Sequence, residues 1–131
     1  MIPRSPITVF FHNPAEDRRL SSFISYLGAM AHINLSSAGH LPEDLTPYDV
    51  VITFNQQFPE STVNGLSGFV RNGGGWLMLV HMAEHKLPDI FGVQPEPAGP
   101  AAELRVLFED ADHPLAARLS DAIYLDGRYQ G

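Results

Sequence analysis

Three short apolar runs, each followed by a polar residue, constrain the fold of this 131-residue chain more than any other feature of the sequence. The runs span residues 7–11, 49–54 and 76–80, and the polar residues that follow them are His12, Asn55 and His81. Runs of this length, rich in β-branched and aromatic residues, are typical of strands buried in a parallel sheet. The third run has no polar residue and follows a glycine turn, so it predicts a central strand covered on both sides.

An amphipathic helix is predicted after the first run. Asn13 can cap this helix, with Pro14 at the first helical position and Glu16 reaching back to form a capping box. Apolar residues then recur every three or four positions, at Leu20, Phe23, Ile24, Leu27, Met30 and Ala31. Such a stripe must pack on something flat, and the face of a sheet fits.

A second helix is predicted to begin at Pro59 and Glu60 and to end in residues 72–75. Its apolar face consists of Val63, Leu66, Phe69 and Val70. The run of Gly73, Gly74 and Gly75 is typical of a left-handed helix cap and a tight turn. The alternative is a phosphate-binding loop, but such a loop follows a strand and begins a helix, and this run does the reverse.

Weaker strand patterns occur in residues 32–36, 102–108 and 122–125, and residues 114–119 favour a helical turn. The order strand, helix, strand, strand, helix, strand implies right-handed parallel crossovers. We therefore predict an α/β three-layer sandwich with a flavodoxin-like parallel sheet. A length of 131 residues suits one domain, spanning residues 1–131.

The net charge of −7 would repel a phosphate backbone, so we expect neither a nucleic-acid nor a membrane partner. No run approaches the ~20 apolar residues of a membrane span, and no apolar signal core is present, so the cytoplasm is the expected location. The sequence has no cysteine. Disulfides, thiolate metal ligands and a cysteine nucleophile are thereby excluded.

In an open parallel sheet, ligands bind beyond the carboxyl ends of the strands, where the winding reverses. This rule selects six candidate residues. They are His12 after the strand at residues 7–11, Asn55 and Gln56 after the strand at residues 49–54, and His81, Glu84 and His85 after the strand at residues 76–80. The alternative for each residue is that it belongs to an ordinary polar loop, since strands commonly end in such loops. A histidine at two of the three ends favours a site.

A metal site is one interpretation of these histidines. The spacing from His81 through Glu84 to His85 matches the inverted zincin pattern, but that pattern requires a helix, and His81 ends a predicted strand. A simpler zinc or manganese site would use His12, His81 and His85 with a carboxylate. Alternatively, His85 is a solvated loop residue.

Several segments resemble the ThuA-like family, which is associated with bacterial sugar utilisation, including trehalose utilisation, and has the class I glutamine amidotransferase-like fold. Residues 45–52 resemble the entry to the family's third strand, and residues 69–76 with 79–81 resemble its glycine turn and histidine-ended strand. Residues 112–115 resemble its His-Pro element, and residues 126–129 faintly resemble the stretch that follows. Together the matching segments span about two-thirds of the chain.

The resemblance implies that His81 lies at or beside the position of the nucleophilic cysteine in true amidotransferases. With no cysteine in the chain, thiolate-dependent glutamine hydrolysis is ruled out. The resemblance also implies that His113 faces the same crevice, although Pro114 equally suits a helix start that Asp112 or His113 would cap. Family members have a longer segment between the histidine-ended strand and the His-Pro element.

The leading hypothesis is a ThuA-like protein that binds or transforms a sugar-derived small molecule. In it His81 is the acid/base or metal ligand, His12 and His113 assist, and Asn55, Gln56 and Glu84 contact the substrate. The first alternative is a non-catalytic module, either a small-molecule sensor or a subunit of an assembly. A small metallohydrolase is the second alternative. Self-association into a homo-oligomer stays open.

Overall fold

A computed structural model describes residues 5–16, 18–54, 57–79, 86–92, 102–107, 112–114 and 122–127. Its elements, in chain order, are β1 (Ile7–His12), a 3-10 turn (Arg18–Leu20), α1 (Ser21–Gly28), β2 (Ile33–Ala38), β3 (Val50–Phe54), α2 (Glu60–Arg71), β4 (Gly75–Leu79), a second 3-10 turn (Asp89–Phe91), β5 (Ala102–Leu107) and β6 (Ala122–Gly127). The chain forms two compact units: residues 1–82 with 88–91, and residues 83–87 with 92–131.

The first unit is built on a parallel sheet with the strand order β2-β1-β3-β4. The chain moves from β1 outward to β2 and then returns to the other side of β1 to place β3. The winding therefore reverses between β1 and β3. This is the order of the first four strands of a flavodoxin-like sheet, and the predicted α/β class and winding are confirmed.

The two faces of the sheet bury different side chains of the same strands. Val9, Phe11 and Ile52 form one cluster, against which Leu20, Ile24 and Leu27 of the α1 region pack. The opposite cluster consists of Phe10, Val51, Leu66 and Trp76, and Phe69 and Val70 of α2 pack against it. Because neighbouring side chains of a strand point to opposite faces, helices cover both sides and the predicted three layers are present.

A buried hydrogen bond joins β3 to β4 inside the α2 layer. The indole Nε1–H of Trp76 donates to Oγ1 of Thr53 over 3.0 Å, and the side chain of Thr53 is fully buried. A buried indole normally needs an acceptor, and an unpaired one costs about 1–3 kcal/mol. This bond aligns the carboxyl half of β3 with β4.

The predicted start of the first helix was wrong. The Asn13 amide, which a capping box would need, instead donates to the Ala38 carbonyl over 2.9 Å and continues the ladder between β1 and β2. Glu16 has a φ of 46°, a left-handed conformation that interrupts a helix. Residues 14–15 therefore form a turn, and α1 begins only at Ser21.

The prediction of a central fourth strand was also wrong within the described residues. There, β4 is the edge strand of the parallel sheet, and the Leu77 side chain is 47% exposed. A continuous apolar run does not separate an edge strand from a central one, because only the neighbouring strands decide which it is. At the other side of the described sheet, β2 is the second edge strand, and it contains the weak strand pattern of residues 32–36.

The glycine run ends α2 as a left-handed cap, in agreement with the sequence. Gly73 has a φ of 101°, its amide donates to the Val70 carbonyl, and the Gly74 amide donates to the Phe69 carbonyl, each over 3.0 Å. This pattern is a Schellman motif, which satisfies carbonyls at the helix end. At Gly74 the need for glycine is steric, because a Cβ there would lie 2.3 Å from the Phe69 ring.

In the second unit, β5 and β6 pair antiparallel with each other, from Ala102 opposite Gly127 to Leu107 opposite Ala122. Both strands were predicted, but their pairing as a separate two-stranded sheet was not. Most of the helical turn predicted for residues 114–119 lies outside the described residues. Among the described helices, none has the length and apolar character needed to cross a membrane.

The close approach of Gly74 to Phe69 gives a stability test. We expect Gly74→Ala to lower the free energy of unfolding by about 1–3 kcal/mol, because the new methyl group overpacks the Phe69 ring. Urea denaturation followed by circular dichroism measures the change.

The matched control is Gly65→Ala in the middle of α2, where a Cβ meets no atom within 4 Å. This substitution should raise the free energy of unfolding by up to about 1 kcal/mol, since alanine favours a helix over glycine. Equal effects of the two substitutions would contradict the packing described for Gly74.

Candidate functional site

His12 lies where three strands end together at the carboxyl edge of the parallel sheet. It is the last residue of β1, and its register partners are Ala38 at the end of β2 and Thr53 near the end of β3. The gap between β1 and β3 is the point where the winding reverses. The general rule for open parallel sheets places ligands at this position.

The His12 ring is held on two sides and is only 5% exposed. Its Nε2 lies 3.2 Å from the carbonyl oxygen of Gly39, which follows β2. The Phe58 ring, in the connection from β3 to α2, lies 5.5 Å from the imidazole between centroids. His12 also follows the buried Phe10 by two positions, so both side chains face the α2 layer.

The contact with Gly39 indicates which nitrogen of His12 carries the proton. A carbonyl oxygen only accepts, so the Nε2–H donates and the neutral ring has its lone pair on Nδ1. Nδ1 is buried and makes no hydrogen bond within the described part of the chain. An unsatisfied buried acceptor costs about 1–3 kcal/mol, and such atoms are uncommon in folded proteins.

The pKa of His12 lies below its ordinary value. Burial of the ring, which disfavours the charged imidazolium, is the main cause. The hydrogen bond to the Gly39 carbonyl opposes this shift, and the nearby His40 adds to it because two imidazolium charges would repel. The ring therefore stays neutral at neutral pH, and Nδ1 can accept a hydrogen bond or take up a proton.

The other predicted site residues are only partly located. Asn55, Gln56, His81, Glu84 and His85 lie outside the described residues, so their roles stay predictions. The strands that precede them are in place, because β3 ends at Phe54 and β4 at Leu79. Parallel strands bring these ends to the same edge as His12.

His113 lies in a described turn of the second unit, residues 112–114, and is exposed. Its proposed contact with the crevice is therefore an untested prediction. Among the described residues, no group of three His, Asp or Glu side chains is arranged to hold a metal ion. A zinc or manganese site would need His81, Glu84 or His85, which are not among them.

Three contacts around the site were not predicted from the sequence: Gly39 as the acceptor for His12, Phe58 as its aromatic neighbour, and Thr53 as the partner of Trp76. In the first two contacts the partner lies far from His12 in the sequence, and no local pattern indicates it. Trp76 did carry a usable signal, since a buried indole seeks an acceptor and Thr53 is the one hydroxyl in the neighbouring strand.

One solved structure gives a decisive comparison. A crystal structure of a protein from Bacteroides uniformis ATCC 8492, described as ThuA-like, superposes with a TM-score of 0.67 over 99% of this chain, at 15% sequence identity. The chain has the fold of a ThuA-like protein. The fold expected from the resemblance is confirmed.

The ThuA-like fold is shared over only part of the relative. The chain spans 63% of the length of the Bacteroides uniformis protein. No protein-family model matches the sequence, and no curated protein matches it significantly. The structural similarity therefore concerns the arrangement of strands and helices, and activity is a separate question.

The lowered pKa of His12 predicts how stability depends on pH. Below about pH 6.5, the ordinary histidine pKa, the unfolded chain binds a proton at His12 that the folded chain does not. His12 therefore makes the free energy of unfolding decrease as the pH falls from about 6.5 towards the lower pKa of the folded state. Urea denaturation at a series of pH values measures this slope.

The variant His12→Gln removes the titrating group and can still donate to the Gly39 carbonyl. We expect a shallower slope in this pH range than in the wild-type protein. The control is His32→Gln, at an exposed position, which should leave the contribution of His12 intact. An identical slope in wild type and His12→Gln would contradict the burial of a neutral imidazole.

Proposed function

We propose that this chain is a ThuA-like protein of carbohydrate metabolism that works in the cytoplasm. It binds or transforms a sugar-derived small molecule at the carboxyl edge of the parallel sheet. The observation that carries the proposal is His12, a buried neutral imidazole at the winding reversal with an unsatisfied Nδ1. The shared fold of a protein described as ThuA-like adds support.

The chemistry of Nδ1 suits a polyhydroxylated ligand. A hydroxyl that donates to Nδ1 would satisfy the unpaired acceptor without placing a charge in the buried site. Because the imidazole is neutral, it can also act as a base towards a hydroxyl proton. In this proposal His81 acts as acid/base or metal ligand, His113 assists, and Asn55, Gln56 and Glu84 hold hydroxyl groups.

The alternative function is a non-catalytic module that senses a small molecule or serves as a subunit. Two features of the sequence favour it. There is no cysteine for the amidotransferase reaction, and the segment of residues 82–112 is shorter than the one that the resemblance to the family leads us to expect. A sensor would bind the same ligand through His12 without chemical turnover.

Thermal unfolding in the presence of sugars tests the proposal. The full chain is heated with trehalose, glucose and fructose as probes, with and without zinc or manganese. A sugar at ten times its Kd should stabilise the fold by about 1.4 kcal/mol and raise Tm by several degrees. The His12→Gln and His81→Ala variants should each reduce this shift, whereas the exposed His32→Gln should retain it.

Two results distinguish the alternatives. Chemical change of a bound sugar, followed by NMR, supports an enzyme, whereas binding without change supports the sensor. If no sugar shifts Tm under any metal condition, and neither His12→Gln nor His81→Ala alters any response, the proposal fails. Metal analysis of the purified protein tests the small metallohydrolase, which requires a bound or titratable transition ion.

A further inference from the structure

A groove of about 750 Å³ runs between α2 and the segment that leads into β3. This volume falls within the range of small-molecule pockets. The lining includes both apolar and polar residues; those that matter here are Glu43, Tyr48, Asp49, Gly65, Gly68 and Phe69. The groove lies beside the residues that precede β3 and β4, whereas His12 lies where β1 ends. It is therefore separate from the site already described.

Backbone and side-chain hydrogen bonds hold the loop wall of the groove in place. Asp44 accepts from both the amide and the hydroxyl of Thr46, over 3.0 and 2.7 Å. Two hydrogen bonds join Asp49 to Thr8 of β1. The Asp49 amide donates to the Thr8 carbonyl, and the Asp49 carboxylate accepts from the Thr8 amide, each over 2.8 Å. Tyr48 packs edge to face on Phe10 with centroids 5.4 Å apart. The groove is thus preformed and needs little ordering to bind a ligand.

The α2 wall exposes bare backbone to the groove. Gly65 and Gly68 lie one turn apart, and a Cβ at either position would meet no atom within 4 Å. Packing within the described chain therefore does not require glycine at these positions. Glycine also weakens a helix, so helix stability does not favour it there either. Their effect is to leave open space in a groove that Tyr48 and Phe69 also line.

The charge of the lining selects the ligand. Glu43 and Asp49 contribute carboxylates, and none of the described residues that line the groove is Lys, Arg or His. An anionic ligand would face uncompensated repulsion, whereas an ammonium group would gain attraction and hydrogen-bond acceptors. The net charge of −7 acts in the same direction.

We propose that this groove is a second binding site, whose ligand is a small aromatic amine. The flat ring lies against Gly65 and Gly68, and the ammonium group lies beside Glu43 and Asp49. This assignment does not depend on sugar binding at His12.

Two probes with one ring system and opposite charges test the proposal. Tryptamine and indole-3-propionate are titrated separately into the full chain, and binding is followed by isothermal calorimetry and NMR. We expect tryptamine to bind with a Kd at least tenfold lower than that of indole-3-propionate. Equal affinities, tighter binding of the acid, or no binding of tryptamine at 10 mM would overturn the proposal.

Variants locate the binding. Gly65→Leu should fill the flat space and weaken tryptamine binding at least tenfold, while the control Ser25→Leu, at an exposed position of α1, should leave it unchanged. Glu43→Gln should reduce the preference for tryptamine over the acid at least threefold. Circular dichroism checks folding, and the exposed Glu43→Gln variant keeps the test decisive if Gly65→Leu does not fold. Unchanged binding in both groove variants would overturn the proposal.

Discussion

The burial of β1 on both faces is the constraint on which the rest of the first unit depends. Val9, Phe10 and Phe11 are each at most 5% exposed, with a strand on either side of β1 and a helical layer over each face. Because side chains alternate, Phe11 enters the α1 layer and Phe10 enters the α2 layer. A slip of one residue would exchange these sets, so the core strongly fixes the register.

This register also decides where the imidazole of His12 lies. His12 follows Phe10 by two positions and is therefore carried into the α2 layer, beside Phe58 and the Gly39 carbonyl. The burial that stabilises the core is also the main cause of the lowered pKa of His12. His12 is thus a core residue at a strand end, and its neutral ring offers an acceptor at the winding reversal, where open sheets bind ligands.

The cap of α2 has a similar double effect at the other end of the sheet. Gly73 and Gly74 end the helix, and the absence of a Cβ at Gly74 lets the Phe69 ring occupy the space beside it. Phe69 packs against the core cluster and also lines the groove along α2. The two ends of the sheet therefore offer different chemistry: the neutral acceptor Nδ1 of His12 at one end, and a groove along α2 lined by two carboxylates at the other.

The sequence by itself determined the elements and the class of the fold, because apolar periodicity, glycine caps and β-branched runs act through near neighbours in the chain. It placed β1, β3, α2 and the cap at residues 72–75, and its resemblance to the ThuA-like family indicated the fold that the structural comparison confirms. The predicted helix cap at Asn13 was wrong, because the backbone amide of Asn13 donates to the end of β2 instead. Only the tertiary structure decided that β4 is an edge strand within the described sheet, that His12 meets Gly39, and that a groove opens beside Gly65. Each of these depends on residues brought together from distant parts of the chain, and no local pattern records which partner they will meet.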